Sequence, residues 1–417
     1  MTYECKKQIL NDIRNIVTSN IDLGKDITDA EIRNMITDAA FEVSKQHYFS
    51  INEKQEMVET VFNTMRRLGV IQPFIDDETV TEIMINGPNN IFIERNGRIN
   101  KVNDKFENSE KLDDVIQSVV SKANRVVNEA SPIVDARLKD GSRVNVVLKP
   151  IALNGPAMTI RKFPQKPLTM EQLIEWGSIT NEAAKFLRQL VQAKYNIFIC
   201  GGTGSGKTTF LNVLSNFIPA DERIITIEDS AELQIASIEN LISLETRDIN
   251  IEGRGKIGIK ELIRTSLRMR PERIIVGEVR GEEALDMLQA MNTGHEGSLS
   301  TGHGNSPKDM LLRLEVMVLS AAQLPLDAIR QQIASTIDII VHLTRMRDKS
   351  RKIFEISEVQ EFINGEIILN SLFKFKDEGD NKEGKVIGQL ESTGNKLINT
   401  VKFDIAGLRK GERYEHS

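Results

Sequence analysis

Cysteine is nearly absent: Cys5 and Cys200 are the only two in 417 residues, far apart in the chain. That excludes a disulfide framework and any zinc site built of four cysteines. Cys200, inside the apolar run NIFIC, reads as a small buried apolar residue. Excess positive charge is also missing: 54 Lys and Arg against 60 Asp and Glu give a formal net charge of -6. Nucleic-acid binders usually carry a global basic field, so no direct nucleic-acid partner is expected. No stretch approaches the roughly 18 to 20 consecutive apolar residues that cross a bilayer, and the opening MTYECKKQILNDIR has no apolar signal-peptide core. A cytoplasmic location is the expectation. What is present, 40% hydrophobic and 27% charged, is the composition of an ordinary soluble protein with room for two or three domains.

Periodicity divides the chain. Residues 1–70 read as a helical region: Thr28 and Glu31 form a capping-box signature ahead of Ile32, Ile36, Ala39, Ala40 and Val43, and a second helix over 52–68 is expected to end at Gly69. Residues 71–163 read as an α+β domain, with short strands in TVTEIMING and NIFIERNGRIN, an Asn96-Gly97 hairpin turn, a helix over 109–128, and further strands in SRVNVVLKP and AMTIRKF. PQKP, Pro164 to Pro167, opens a linker over 164–177. Over 178–375, strands and helices alternate as in a parallel α/β core, with helices at 259–269 and 281–293, a Ser306 cap with Pro307 behind it, and an Asn364-Gly365 hairpin. Residues 376–417, beginning KDEGDNKEGK, read as a charged, mobile extension.

The chemistry concentrates in four segments. GGTGSGKTT satisfies G-x-x-x-x-G-K-[ST] with Gly201, Gly206, Lys207 and Thr208, after a strand and before a helix. Backbone N–H groups of Gly202, Thr203, Gly204, Ser205, Gly206, Lys207, Thr208 and Thr209 can converge on phosphate oxygens. Lys207 is expected to meet the β and γ phosphates of ATP and Thr208 to ligate Mg2+. RIIVGEVRG places Glu278 just past a buried strand, where it can hold Mg2+ through water and orient the attacking water. In TIEDSAEL the adjacent Glu228 and Asp229 must point opposite ways if the strand continues, and Glu228 is the candidate general base. A charged pair capping a strand for solubility is the other reading. TGHEGSLSTGHGNS carries His295 and His303 among glycines and hydroxyls, too far apart for a helical metal pair; a histidine reporting the γ-phosphate, or a structural loop histidine, fits.

In this order the four segments resemble the Walker A, aspartate, Walker B and histidine boxes of the secretion ATPase superfamily, which drives type II and type IV secretion and type IV pilus assembly. Too few cysteines for a zinc insertion, the His295 to His303 interval, and the stretch LIRTSLRMRPERIIVGEVRGEEALDMLQAMNTGHEGSLSTGHGNSP are most similar to the tight-adherence (Flp) pilus assembly branch. The resemblance covers about residues 70 to 345 strongly, the front moderately, and the last forty or so hardly at all. It implies a RecA-like P-loop ATPase domain behind a small α+β domain and a helical bundle, working as a homo-hexamer peripheral to the membrane with inner-membrane platform proteins. It further implies ATP lying between an N-terminal and a C-terminal domain, with Arg143 and Arg161 facing the nucleotide and catalytic roles for Lys207, Glu228, Glu278, His295 and His303. Arg264 and Arg268, with Arg247, Arg254 and Arg270 nearby, are expected to share one helix face that Pro271 terminates.

Overall fold

Thr28 accepts from the Glu31 backbone while the Glu31 carboxylate reaches back to the Thr28 N–H, so the expected capping box forms. The computed structural model describes residues 3–21, 27–45, 47–95, 97–123, 125–138, 140–163, 167–247 and 254–408. Two units divide the chain, Met1–Gln165 and Lys166–Ser417.

In the first unit, α1 (Tyr3–Asn20), α2 (Asp29–Val43) and α3 (Ile51–Arg66) bury Ile9, Ile13, Ile32, Ile36, Met57 and Phe62 against one another. α3 stops three residues before Gly69, which takes φ +58 at the start of a single 3-10 turn. After α4 (Gln72–Asp76) come β1 (Val80–Asn86), β2 (Ile91–Arg95), β3 (Arg98–Lys101), α5 (Ser109–Lys122), β4 (Ile133–Arg137), β5 (Arg143–Val147) and β6 (Ala157–Arg161). The sheet order is β3-β2-β1-β6-β5-β4, antiparallel throughout. Alternation sends Ile83, Ile85, Val144, Val146, Met158 and Ile160 to one face, where Leu112, Ile116 and Val119 of α5 cover them. That helix is six residues shorter than its pattern predicts. Of the Asn96-Gly97 turn, Asn96 lies outside the described residues and Gly97 has φ +72.

In the second unit, α6 (Met170–Glu175) occupies part of the stretch read as linker; Pro164, Gln165 and Lys166 lie outside the described residues. Then follow α7 (Asn181–Gln192), β7 (Ile197–Gly201), α8 (Lys207–Ser215), β8 (Ile224–Glu228), β9 (Leu241–Glu245), α9 (Ile259–Ser266), β10 (Arg273–Val279), α10 (Glu283–Asn292), β11 (Leu299–His303), α11 (Pro307–Ala321), α12 (Leu326–Thr336), β12 (Ile339–Arg345), β13 (Arg351–Ile363), β14 (Glu366–Asp380), β15 (Val386–Ser392) and α13 (Val401–Ile405). The nine strands run β15-β14-β13-β12-β7-β11-β10-β8-β9. From β12 to β9 the pairs are parallel, and β13, β14 and β15 are added as antiparallel hairpins. Residues such as Phe198, Ile225 and Val276 face α9 to α12, while Ile197, Ile199 and Ile275 face α7 and α8. Burial on both faces explains why these strands read as unbroken apolar runs.

Two expectations are corrected here. Residues 376–408 are not a mobile tail: β14 runs through Asp380, β15 pairs with it, and Phe403 of α13 is 2% exposed against Tyr195, with ring centroids 5.1 Å apart. Arg264 and Arg268 do not share a helix face, since α9 ends at Ser266, well short of Pro271. Among the described residues no helix is long and apolar enough to cross a membrane.

Candidate active site

Parallel strands deliver their C-terminal ends to one edge, and that edge collects the chemistry. β7 ends at Gly201 and the glycine loop turns into α8, with Gly204 at φ +71 and Gly206 at φ +94 as helix cap. Only glycine takes these values without strain, and they aim the loop's N–H groups and the α8 N-terminus at one point. A side chain at Gly202 would meet nothing within 4 Å, so the backbone there is open to approach.

Lys207, 8% exposed, donates to the Gly202 carbonyl at 3.2 Å and lies 3.4 Å from Nδ1 of His303. His303 stands at the end of β11, directly beside Gly201 in the register. Its Nε2 is 2.9 Å from Oε1 of Glu278. Burial, with the Lys207 ammonium beside it, holds the imidazole below its usual pKa. The neutral ring with its proton on Nε2 suits both neighbours: an ammonium on one side, a carboxylate on the other. Glu278 sits inside β10 rather than past it, and its Oε2 accepts from Arg280 at 2.6 and 2.8 Å. Arg280 also reaches Asp229 at 3.6 Å.

The adjacent acids of TIEDSAEL do diverge. Asp229 turns outward to Arg280, whereas Glu228, 3% exposed, accepts from the backbone N–H of Glu232 at 2.9 Å and of Leu233 at 3.1 Å. The residue expected as general base therefore anchors the loop that follows its own strand. Its approach depends on Gly277, where a methyl group would lie 2.9 Å from Glu228 Cγ. Neither Gly277 nor Arg280 was singled out from sequence. Both lie inside the Walker B-like run, where a glycine breaking an apolar strand signals close approach of another chain.

His295 lies elsewhere. It precedes β11, at the opposite end of the sheet from the glycine loop, and its Nδ1 is 3.1 Å from the Ala290 carbonyl. The two histidines of one motif are separated by a whole strand, and it is His303 that stands beside Lys207 and Glu278. Arg264 pairs with buried Asp286 at 2.7 Å, and Arg247 donates to the Gly255 carbonyl. In the first unit, Arg143 and Arg161 are direct cross-strand partners, Arg161 lies 3.8 Å from Glu82, and Arg137 continues the row opposite Arg143.

Ser205 Oγ at this edge is buried without a hydrogen-bond partner, and Glu278 Oε1 has the His303 ring at 2.9 Å. Buried polar atoms of this kind are normally satisfied. Here they face a loop built for phosphate, and Thr208 follows Lys207 on the first turn of α8. A hydroxyl, a carboxylate reached through water and phosphate oxygens fit a hard divalent cation such as Mg2+, which keeps few protein ligands.

Comparison with known proteins gives this arrangement its family. Residues 64–381 match the family described as Type II/IV secretion system protein. The chain belongs to that family of ATPases. This secretion ATPase is 34% identical over 293 residues to the conjugal transfer protein TrbB of Rhizobium radiobacter, covering 70% of this chain and 87% of that one. It is 30% identical over 338 residues to the type IV secretion system protein VirB11 of Bartonella henselae, covering 72% and 93%. The crystal structure of the pilus retraction motor PilT with bound ADP shares the fold, at 18% identity and TM-score 0.51 over 82% of this secretion ATPase and 87% of that chain.

Proposed function

We propose that this secretion ATPase is a Mg2+-dependent homo-hexameric motor that powers assembly of a type IV pilus of the tight-adherence (Flp) kind, peripheral to the membrane and acting on inner-membrane platform proteins. The observation that carries the hydrolytic chemistry is the chain from Lys207 through His303 to Glu278 at the mouth of the phosphate loop. Lys207 and the loop N–H groups offset charge on the γ-phosphate of ATP. Glu278, held beside His303 at 2.9 Å, orients the attacking water and takes its proton. Glu228, saturated by backbone N–H groups, holds the 229–233 loop that presents Asp229 to Arg280. His303, neutral between an ammonium and a carboxylate, responds to the γ-phosphate. Thr208 and Glu278, the latter through water, would hold Mg2+, which supplies further charge compensation on the phosphates. Arg143 and Arg161 are proposed as additional phosphate ligands.

The pilus branch is supported by the extended motif run from Leu262 to Pro307 and by the His295 to His303 interval. Relatives named for conjugal transfer and type IV secretion support a second reading, a motor for protein or DNA export. ATP turnover measured alone, with DNA, and with the cytosolic part of a candidate platform protein separates the two. Stimulation by the platform protein is expected; stimulation by DNA alone would sink the pilus reading. Lys207→Ala and Glu278→Gln should each cut turnover about a thousandfold, with ATP binding retained in Glu278→Gln. If Glu278→Gln keeps turnover and Glu228→Gln loses it, the two acids have been assigned the wrong way round.

A further inference from the structure

β7 has two neighbours, and both serve the phosphate loop. β11, on one side, delivers His303. β12, on the other, is pressed so closely that a methyl group on Gly201 would lie 2.4 Å from the Leu343 carbonyl. Two residues further, β12 ends at Arg345, whose direct cross-strand partner is Arg351, the first residue of β13. The turn between them brings both guanidiniums against the glycine loop. Arg351 Nε donates to the Gly204 carbonyl at 2.9 Å, and its Cδ is 3.4 Å from where a methyl group on Gly206 would sit. Arg345 Nη1 is 3.8 Å from the corresponding position on Gly204.

The turn is anchored by the C-terminal strands. Arg347 donates to Asp380 at 2.6 Å and to Asp377 at 3.0 Å, both on β14. Its guanidinium hydrogen bond holds the Asp377 carboxyl down to about 2, so the pair stays charged through neutral pH. Asp348 accepts from Ser350 N–H and, with its other oxygen, from Val386 N–H of β15 at 2.9 Å. The five residues between the two arginines are thus tied to both β14 and β15.

We propose that Arg345 and Arg351 are phosphate ligands of the bound nucleotide, and that Arg351 also positions the glycine loop through Gly204. The anchor of Arg347 on Asp377 and Asp380 sets where the pair stands. This rests on the ATPase reading of the same loop. A planar guanidinium can give Nε–H to a carbonyl and its remaining N–H groups to a phosphate at once; a lysine ammonium cannot copy that fork. The pair complements Lys207, meeting the phosphates from the β12 side.

ATP and ADP affinities, kcat and KM, and the salt dependence of ATP binding are measured for the full chain and for Arg345→Ala, Arg351→Lys and the distant double variant Asp377→Asn/Asp380→Asn. Arg345→Ala and Arg351→Lys should each weaken ATP binding about tenfold, as expected for one charge-assisted hydrogen bond. Arg345→Ala should also flatten the salt dependence, which a purely structural loss would leave unchanged. The double variant, which removes the carboxylates that hold Arg347 and changes neither the loop nor Arg345 and Arg351, should shift ATP affinity in the same direction by about threefold, the cost of a partly loosened anchor. Affinities within twofold of the parent in all three variants, with ATP bound normally by the parent, would overturn this inference alone. A parent chain that binds no ATP would overturn it together with the ATPase reading.

Discussion

The two ends of the nine-stranded sheet are bonded in opposite ways. At the ends where the parallel strands begin, the buried charges of Arg273 and Asp338 are both matched. Arg273, 0% exposed, gives two hydrogen bonds of 2.6 Å to Glu222 and one of 2.6 Å to the Val191 carbonyl. Asp338 takes 2.7 Å bonds from Asn196 N–H and Lys402, and Asn196 Oδ1 takes the N–H groups of Gly297 and Ser298. At the ends where those strands finish, Lys207 stands 3.2 Å from the Gly202 carbonyl and 3.4 Å from His303, and Ser205 Oγ is buried without a hydrogen-bond partner. A saturated buried network fixes a fold, and an unsaturated one keeps capacity for a ligand. One sheet thus separates what holds it together from what it works with.

The sharpest way to break that contrast is at the saturated end. Glu222→Gln removes the carboxylate beneath a fully buried guanidinium and should cost about 3 kcal/mol, read as a lower denaturation midpoint, with turnover per folded molecule unchanged. Stability within about 0.5 kcal/mol of the parent would show that the lower network is not what fixes the sheet. A smaller effect tests the unsaturated end through pH. His303 titrates below its usual value of 6.5, so below that pH the unfolded chain takes up a proton that the folded chain refuses. Folded stability should therefore fall as pH drops from 7 to 5, and His303→Gln should flatten that fall; parallel curves would mean His303 is not held neutral. The smallest effect is expected for His295→Ala, which should leave kcat within about twofold of the parent, as for a residue away from the chemistry. A loss as large as that of Lys207→Ala would return His295 to the catalytic cluster.

The glycine loop was legible in the sequence because its requirement is local: an apolar strand, glycines that must take positive φ at 204 and 206, then a helix. The position of Glu278 near the end of an apolar strand was legible for a similar reason, although it lies inside β10 rather than past it. The contacts of Glu228 were not, since its partners are backbone N–H groups four and five residues later, a bond that leaves no mark on side-chain identity. His295 and His303 look alike in sequence and differ only in which end of β11 each occupies. The end of β14 beyond residue 375 and all of β15 were missed because strands added at a sheet edge carry charges on their exposed faces, and Asp377 and Asp380 of KDEGDNKEGK pair with Arg347.

β13 opens with two consecutive residues that do different things. Arg351 touches the phosphate loop, while Lys352, 8% exposed, gives its ammonium to the Trp176 and Gly177 carbonyls, just past α6. Neighbouring strand residues point to opposite faces, so the first two residues of β13 join the glycine loop and the entrance segment of the second unit across a single peptide bond.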